Sequence, residues 1–340
     1  MQGRFTVSST KKFDVFGVGN AIVDTLAQVN DTLISELGVH KGSMSLMDAE
    51  NQAAVLSALD HQQLQLASGG SAANTMVAVA QSGGTGVYFG KVAHDTNGEF
   101  YKHDMQNNGI AFPVALAPEA SLPTGTCVVL TTPDAERTMC THLGISTTLH
   151  ASDIDSEVLR DCKMSYIEGY LWDADEPRAA CIEAFEQSKR LGVRAAFTFS
   201  DAFLIDRFAD DFRRVVADYC DVLFCNADEA KQFFGCDDID ACSREMAKIC
   251  ELAFITNGGE GCLVLESGQI TKVPGFPVTP IDTNGAGDAF AGGTLYGLTH
   301  EMRPTQAAKW GNYFASRVVE VMGPRLNSGL SAHRSAIIGS

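Results

Sequence analysis

Positive charge is scarce in this chain of 340 residues. It carries 25 Lys and Arg against 42 Asp and Glu, a formal net charge of −17. Such a surface repels polyanions, which excludes DNA, RNA and anionic membranes as partners. A small ligand stays open, because a local site can have either sign. Metal and disulfide signatures are missing too. The ten cysteines include no C-x-x-C, the closest pair is Cys220 and Cys225, and no Cys/His group has zinc-ligand spacing. They read as buried thiols in a reducing compartment. No apolar run suits a membrane span: the charge-free stretch from Gln62 to Gly90 is full of Gly, Ser, Gln and Asn. Residues 1–12 are polar with two lysines, so a cytoplasmic location is expected. The motifs of P-loop enzymes, zinc proteases, α/β-hydrolases and H-R-D kinases are absent.

What is present is an ordinary globular mixture, 45% hydrophobic and 20% charged. Short apolar runs alternate with amphipathic stretches. Strands are expected at Phe13–Gly17, Gly86–Phe89, Met164–Glu168, Ala195–Phe199, Val222–Cys225 and Leu252–Thr256. Helices are expected at Asp48–Leu59 and Ala72–Gln81, from Asp95 to about Asn108, and over 175–190, 202–218, 227–234 and 239–250. That alternation predicts an α/β fold: three layers, α/β/α, around a central, mostly parallel sheet. Segments 22–47 and 111–143 break the pattern, with Val, Thr, Leu and Ala but few helix signals. They read as strands that leave the main sheet and form a small β-sheet lid over a site. Residues 201–240 hold eleven acids against four bases, and read mainly as a solvated helical surface.

Five stretches can carry chemistry. The strongest is Asp282-Thr283-Asn284-Gly285-Ala286-Gly287-Asp288, which opens a helix. Small residues at 285–287 let a ligand approach the backbone, and free amides at a helix N-terminus favour an anion. Asp288 beside them can take a proton from an attacking hydroxyl, or it is only a favourable first-turn acid. Gly69-Gly70-Ser71-Ala72-Ala73-Asn74 again pairs glycines with a helix start, and Asn74 suits hydroxyl recognition; the alternative is a plain turn. Gly17-Val18-Gly19-Asn20-Ala21-Ile22-Val23-Asp24 starts like a dinucleotide fingerprint, but Ile22 stands where the third glycine belongs, which rejects a dehydrogenase. Asn20 and Asp24 instead lie past a strand's C-terminal end, where α/β sheets bind ligands; otherwise Asp24 caps a turn. Asn226-Ala227-Asp228-Glu229 follows a strand. Asn226 and Glu229 either hold waters around Mg²⁺ or cap the next helix. Thr256-Asn257-Gly258-Gly259-Glu260-Gly261 lines a nucleotide or is a hairpin turn.

In this order, these motifs resemble those of the ribokinase-like, PfkB-type carbohydrate kinases. The resemblance runs from Phe13 to Gly323, which implies one domain over 13–323, with lid segments near 22–47 and 111–143 and tails at 1–12 and 324–340. It implies transfer of the γ-phosphoryl of ATP, with Mg²⁺, to a hydroxymethyl group. By the same resemblance Asp288 is the base, and the amides of Gly285, Ala286 and Gly287 form an anion hole. Asn226 and Glu229 organise Mg²⁺ through water. Thr256, Gly258 and Gly261 border ATP, with Asn312 and Gly323 flanking the adenine. Asn20, Asp24, Gly69, Gly70 and Asn74 hold the acceptor. The opening G-x-G-N-A-I-V-D and Glu168-Gly169-Tyr170-Leu171-Trp172-Asp173 most resemble the bacterial adenosine kinase branch. There Tyr170 and Trp172 offer a face to a purine or simply end a core strand. Arg137 closes over the substrate or lies on a lid hairpin's surface. The leading expectation is phosphorylation of a nucleoside 5′-hydroxyl. A sugar kinase acting on ribose or fructose is the alternative, and a silent nucleoside- or sugar-binding sensor a third; an intact Asp288 with its anion-hole sequence argues against the sensor. The physiological acceptor, the choice between monomer and homodimer, and activation by a monovalent cation stay open.

Overall fold

A computed structural model describes residues 11–59, 64–118, 122–134 and 136–339. The expected N-terminal tail, 1–12, lies almost wholly outside the described residues. Among these residues the strands form two sheets.

In the large sheet the order is Gln269–Pro274, Gly261–Glu266, Leu252–Thr256, Val222–Asn226, Arg194–Thr198, Cys162–Glu168, Phe13–Val18, Gly86–Phe89, Ile110–Ala111. Neighbours from Leu252–Thr256 onward pair in parallel, and Gly261–Glu266 pairs antiparallel with both Leu252–Thr256 and the edge strand Gln269–Pro274. Both faces are covered, so the strands are apolar on both sides, and the period-2 alternation sorts their side chains. Phe16, Ile167, Phe197, Leu223 and Ile255 pack against the helices Asp175–Leu191, Ala202–Asp218, Ala227–Phe234 and Ile239–Ile249. Their neighbours Val15, Tyr166, Ala196, Phe224 and Phe254 pack against Ser71–Gln81, Thr96–Asn107, Ala286–Thr299 and Pro304–Val318. This is the expected three-layer arrangement.

Helix starts follow their capping residues. Asp48 accepts from the Asn51 amide at 2.8 Å and Asp95 from the Gly98 amide at 2.7 Å. The ten cysteines are free thiols, most of them buried. No helix among the described residues is long and apolar enough to cross a membrane.

The second sheet runs Met44–Leu46, Arg137–His142, Gly125–Thr131, Ile22–Gln28, Gln65–Gly69. It is apolar on both faces. Ala27, Val128, Leu130 and Cys140 face outward and are covered by Ile34 and Val55, from the helices Asp31–Leu37 and Ala49–Ala58. Ile22, Leu26, Cys127 and Val129 form the opposite face.

Three boundaries differ from expectation. Segment 22–47 contains the helix Asp31–Leu37, nucleated by the Asn30 cap. Ile110–Ala111 joins the large sheet rather than the lid, while Gln65–Gly69 supplies the lid's edge. Within the expected tail 324–340, Leu326, Leu330, Ile337 and Ile338 pack against the Trp310 and Phe314 cluster. Isolated apolar residues beyond Gly323 find their partners only across the fold, so local periodicity gives no sign of them.

Candidate active site

One cleft of about 1150 Å³ opens where the C-terminal ends of the parallel strands meet the lid. Asn20, Asp24, Gly70, Asn74, Arg137 and Tyr170 line it, with Asn226, Glu229, Thr256, Gly258, Gly261, Asn312 and the turn 285–288. Residues more than 260 positions apart in sequence thus share one wall.

At its centre is the start of the helix Ala286–Thr299. Gly285 takes φ +72°, which turns the chain into the helix. The Ala286 amide leans back to the Thr283 carbonyl at 3.3 Å, and a Cβ on Gly287 would meet only open space. First-turn amides have no helical carbonyl behind them, and the helix dipole adds positive potential there. Asp288 is half-buried beside this turn. The Ser71 hydroxyl donates to its Oδ1 at 2.6 Å and the Asn74 amide to its Oδ2 at 3.0 Å. Burial pushes its carboxyl above the ordinary range, while these two donors and the positive Arg137 and Arg325 pull it back. A fixed carboxylate beside an anion cradle can take a proton from a group held between them.

The strand Ile22–Gln28 brings Asp24 into the cleft from the lid side. Its carboxyl is 5% exposed, and burial raises it to about 7. Glu168 ends its strand buried, accepting from the Asn20 amide at 2.7 Å and the Ala72 amide at 2.6 Å. It ties the loop that carries Asn20 to the first turn of the helix that carries Asn74. Burial raises this carboxyl also to about 7, against the pull of those amides. Arg137, on a lid strand, donates to the Asn284 side chain at 3.0 Å and so joins lid and anion turn.

The comparisons with known proteins agree with this geometry. The sequence model described as pfkB family carbohydrate kinase matches residues 44–329. The chain belongs to the pfkB family of carbohydrate kinases. This family member is a phosphotransferase with an alcohol group as acceptor, on the ribokinase-like fold. It is similar to the adenosine kinase of Saccharomyces cerevisiae, 26% identical over 328 residues, 90% of this chain and 95% of that protein. The crystal structure of adenosine kinase from Sinorhizobium meliloti superposes with a TM-score of 0.90 at 35% identity, covering 96% of this chain and 99% of that one. Fructokinase from Klebsiella pneumoniae is 28% identical over 246 residues, 71% of this chain and 80% of that protein.

Not every expected residue of the kinase lines the cleft. Gly69 lies behind Asp24, where any Cβ would overlap the Asp24 carboxylate, so it makes room rather than contact. Gly323, at φ +87°, also lies outside the lining; its amide donates to the Asp282 carboxylate at 2.8 Å. Trp172 is buried against Phe197 and Phe212 at 5.6 and 5.5 Å, in the core. Only Tyr170 of that pair reaches the cleft, beside Phe203, with its hydroxyl 3.3 Å from Asp201. Asn312 donates to the Val273 and Pro274 carbonyls at 3.1 and 3.2 Å and ties the edge strand to its helix. Thr256 to Gly261 is both a hairpin turn and a stretch of cleft wall.

Asn226 and Glu229 form a reciprocal capping box. Both Glu229 oxygens are taken, by the Asn226 amide at 3.0 Å and its side chain at 2.9 Å, and burial raises the carboxyl to about 8. No group of three or more metal-ligating side chains exists among the described residues. This donor set fits a Mg²⁺ that keeps its waters and is bound mainly by substrate phosphates.

Two site residues were given no role by the sequence. Glu168 opens the stretch Glu168–Asp173, which drew notice for its aromatic residues and not for this carboxylate. Arg325 lies past the last motif, yet its guanidinium donates to the Asn74 carbonyl at 2.8 Å.

Proposed function

We propose that this kinase transfers the γ-phosphoryl group of ATP to the 5′-hydroxyl of adenosine or a closely related nucleoside. The observation that carries this reading is the Asp288 carboxylate, held by Ser71 and Asn74 in the one cleft that the anion turn and Asp24 also line. The hydroxyl proton passes to Asp288 as the oxygen attacks the γ-phosphorus and the bond to the leaving ADP oxygen breaks. Amides of the 285–287 turn meet the charge on the moving phosphoryl group. Mg²⁺ arriving with ATP would neutralise phosphate charge, with Asn226 and Glu229 holding its waters.

The lid favours a nucleoside over a bare sugar. Its cleft-facing side chains include Ile22, Cys127, Val129, Met139 and Leu143. That surface suits a flat base, whereas a sugar's hydroxyls would lose water there without finding partners. Similarity to a fructokinase keeps a sugar acceptor as the second reading. A panel of nucleosides and sugars with MgATP, read by product detection, decides. Adenosine is expected to be phosphorylated far better than ribose or fructose; turnover of the sugars alone would overturn the nucleoside reading.

Gly69→Ala tests the acceptor side. The added methyl group must displace the Asp24 carboxylate. A lost hydrogen bond to a charged group is worth about 1.5–3 kcal/mol. KM for the acceptor is therefore expected to rise about tenfold or more, with KM for ATP little changed, in steady-state kinetics.

A further inference from the structure

Arg325 is the least expected group near the cleft. Its side chain is 9% exposed. Its Nε donates to Asn74 Oδ1 at 2.8 Å, and its Nη1 to Ser68 Oγ at 2.7 Å, with Asp104 Oδ2 at 3.4 Å. Its Nη2 is buried without a partner. A cation is costly to bury, and one paired only at its edge more so. The proposed reaction has given this residue no part.

Its chemistry fixes its neighbour. A guanidinium can only donate, so Asn74 must turn its carbonyl toward Arg325. The amide nitrogen is then left facing Asp288, where it donates at 3.0 Å. Reversed, Asn74 would set a carbonyl oxygen against a carboxylate oxygen. We infer that Arg325 is a positioning residue for phosphoryl transfer, locking Asn74 in the orientation that holds the Asp288 carboxylate and adding positive charge behind it. This rests on the reading of Asp288 as the base. The other groups that face Asp288 are Ser71 on the same helix as Asn74, Arg137 and Asp24 from the lid, and Tyr166, Glu168 and Tyr170 from the strand beneath and the turn after it. Only Arg137 and Arg325 among them are cations.

Arg325→Met and Arg325→Lys, assayed from pH 6 to 9 with MgATP and adenosine, test the inference. Arg325→Met is expected to lower kcat about 10²-fold at neutral pH, the cost of a misplaced reacting group, with KM for ATP nearly unchanged. Its acidic limb in the kcat profile should move up by about one pH unit or more, since a nearby opposite charge is lost. Arg325→Lys keeps the charge but not the fork, so the limb should stay while kcat falls about tenfold, less than in Arg325→Met. A merely structural role would lower thermal stability, leave the limb in place and overturn the inference; so would an unchanged kcat. If Arg325→Met does not fold, the double variant with Asp104→Asn removes the stranded acid, and Arg325→Lys alone still decides by its kcat. Should Asp288→Asn keep full kcat, the base reading fails and this inference falls with it. Should Asp288→Asn be inactive while Arg325→Met behaves as wild type, only the inference about Arg325 falls.

Discussion

Asp288→Asn is expected to lower kcat at least about 10²-fold, the low end for loss of a general base, while the acceptor still binds. The substitution is nearly isosteric. Asn74 donates to one oxygen of Asp288 and Ser71 to the other. An Asn there keeps its carbonyl toward the Asn74 amide, and the Ser71 hydroxyl can rotate to accept from the new amide nitrogen. The site therefore keeps its shape and loses only the capacity to take a proton. Initial rates with MgATP and adenosine, beside direct binding of adenosine, separate the two effects. Wild-type kcat must also fall on the acid side, because only the ionised carboxylate accepts a proton. Burial raises the Asp288 carboxyl, so that limb lies above the ordinary carboxylate range, and the residual activity of Asp288→Asn should lack it. A variant with normal kcat would remove Asp288 from the chemistry.

The elements that position this residue were legible because their signals are local. Asp48 and Asp95 stand at helix starts and cap them through their own side chains. The turn 282–288 announces a tight approach and a helix start by glycine alone. Parallel strands announce themselves by being apolar on both faces. What stayed hidden depends on contacts made across the chain. Gln65–Gly69 has no strong strand pattern and becomes a strand because Ile22–Gln28 offers it a partner. Arg325 is 251 residues from Asn74, and nothing in its neighbours hints at a buried cation. In the sequence Trp172 reads either as a face for a purine or as the end of a core strand. In the fold it points into the core, because the short helical turn Gly169–Asp173 directs Tyr170 and Trp172 to different sides. Gly69 makes room for the Asp24 carboxylate, whereas Gly323 holds φ +87° and gives its amide to Asp282. A glycine can be required by the backbone or by a neighbour's side chain, and only coordinates tell the two apart.

Gly285→Ala is expected to lower kcat/KM for ATP at least about 10²-fold, the scale of a misplaced or lost oxyanion donor, and to lower the unfolding temperature. Two costs combine. Gly285 holds φ +72°, where an L side chain costs roughly 1–2 kcal/mol. Its Cβ would also sit 2.5 Å from the Pro324 carbonyl oxygen and 2.7 Å from Pro324 Cα. That backbone has little freedom to retreat. The Asp282 carboxylate holds the Asn284 amide and the Gly323 amide, each at 2.8 Å, and the Ile281 amide donates to the Val319 carbonyl at 2.7 Å. Turn and segment 319–325 are thus clamped together, so an added methyl group must push the anion cradle out of place or pull Arg325 away from Asn74. Gly287→Ala is the matching control. Its Cβ meets nothing within 4 Å, so the fold should tolerate it, whereas the methyl group enters the cleft and should hinder ATP. Thermal unfolding with steady-state kinetics on both variants checks the argument. Lost activity with lost stability at 285, against lost activity with retained stability at 287, is the expected pattern. Wild-type behaviour of Gly285→Ala would mean that neither the turn's handedness nor its contact with Pro324 matters to phosphate binding.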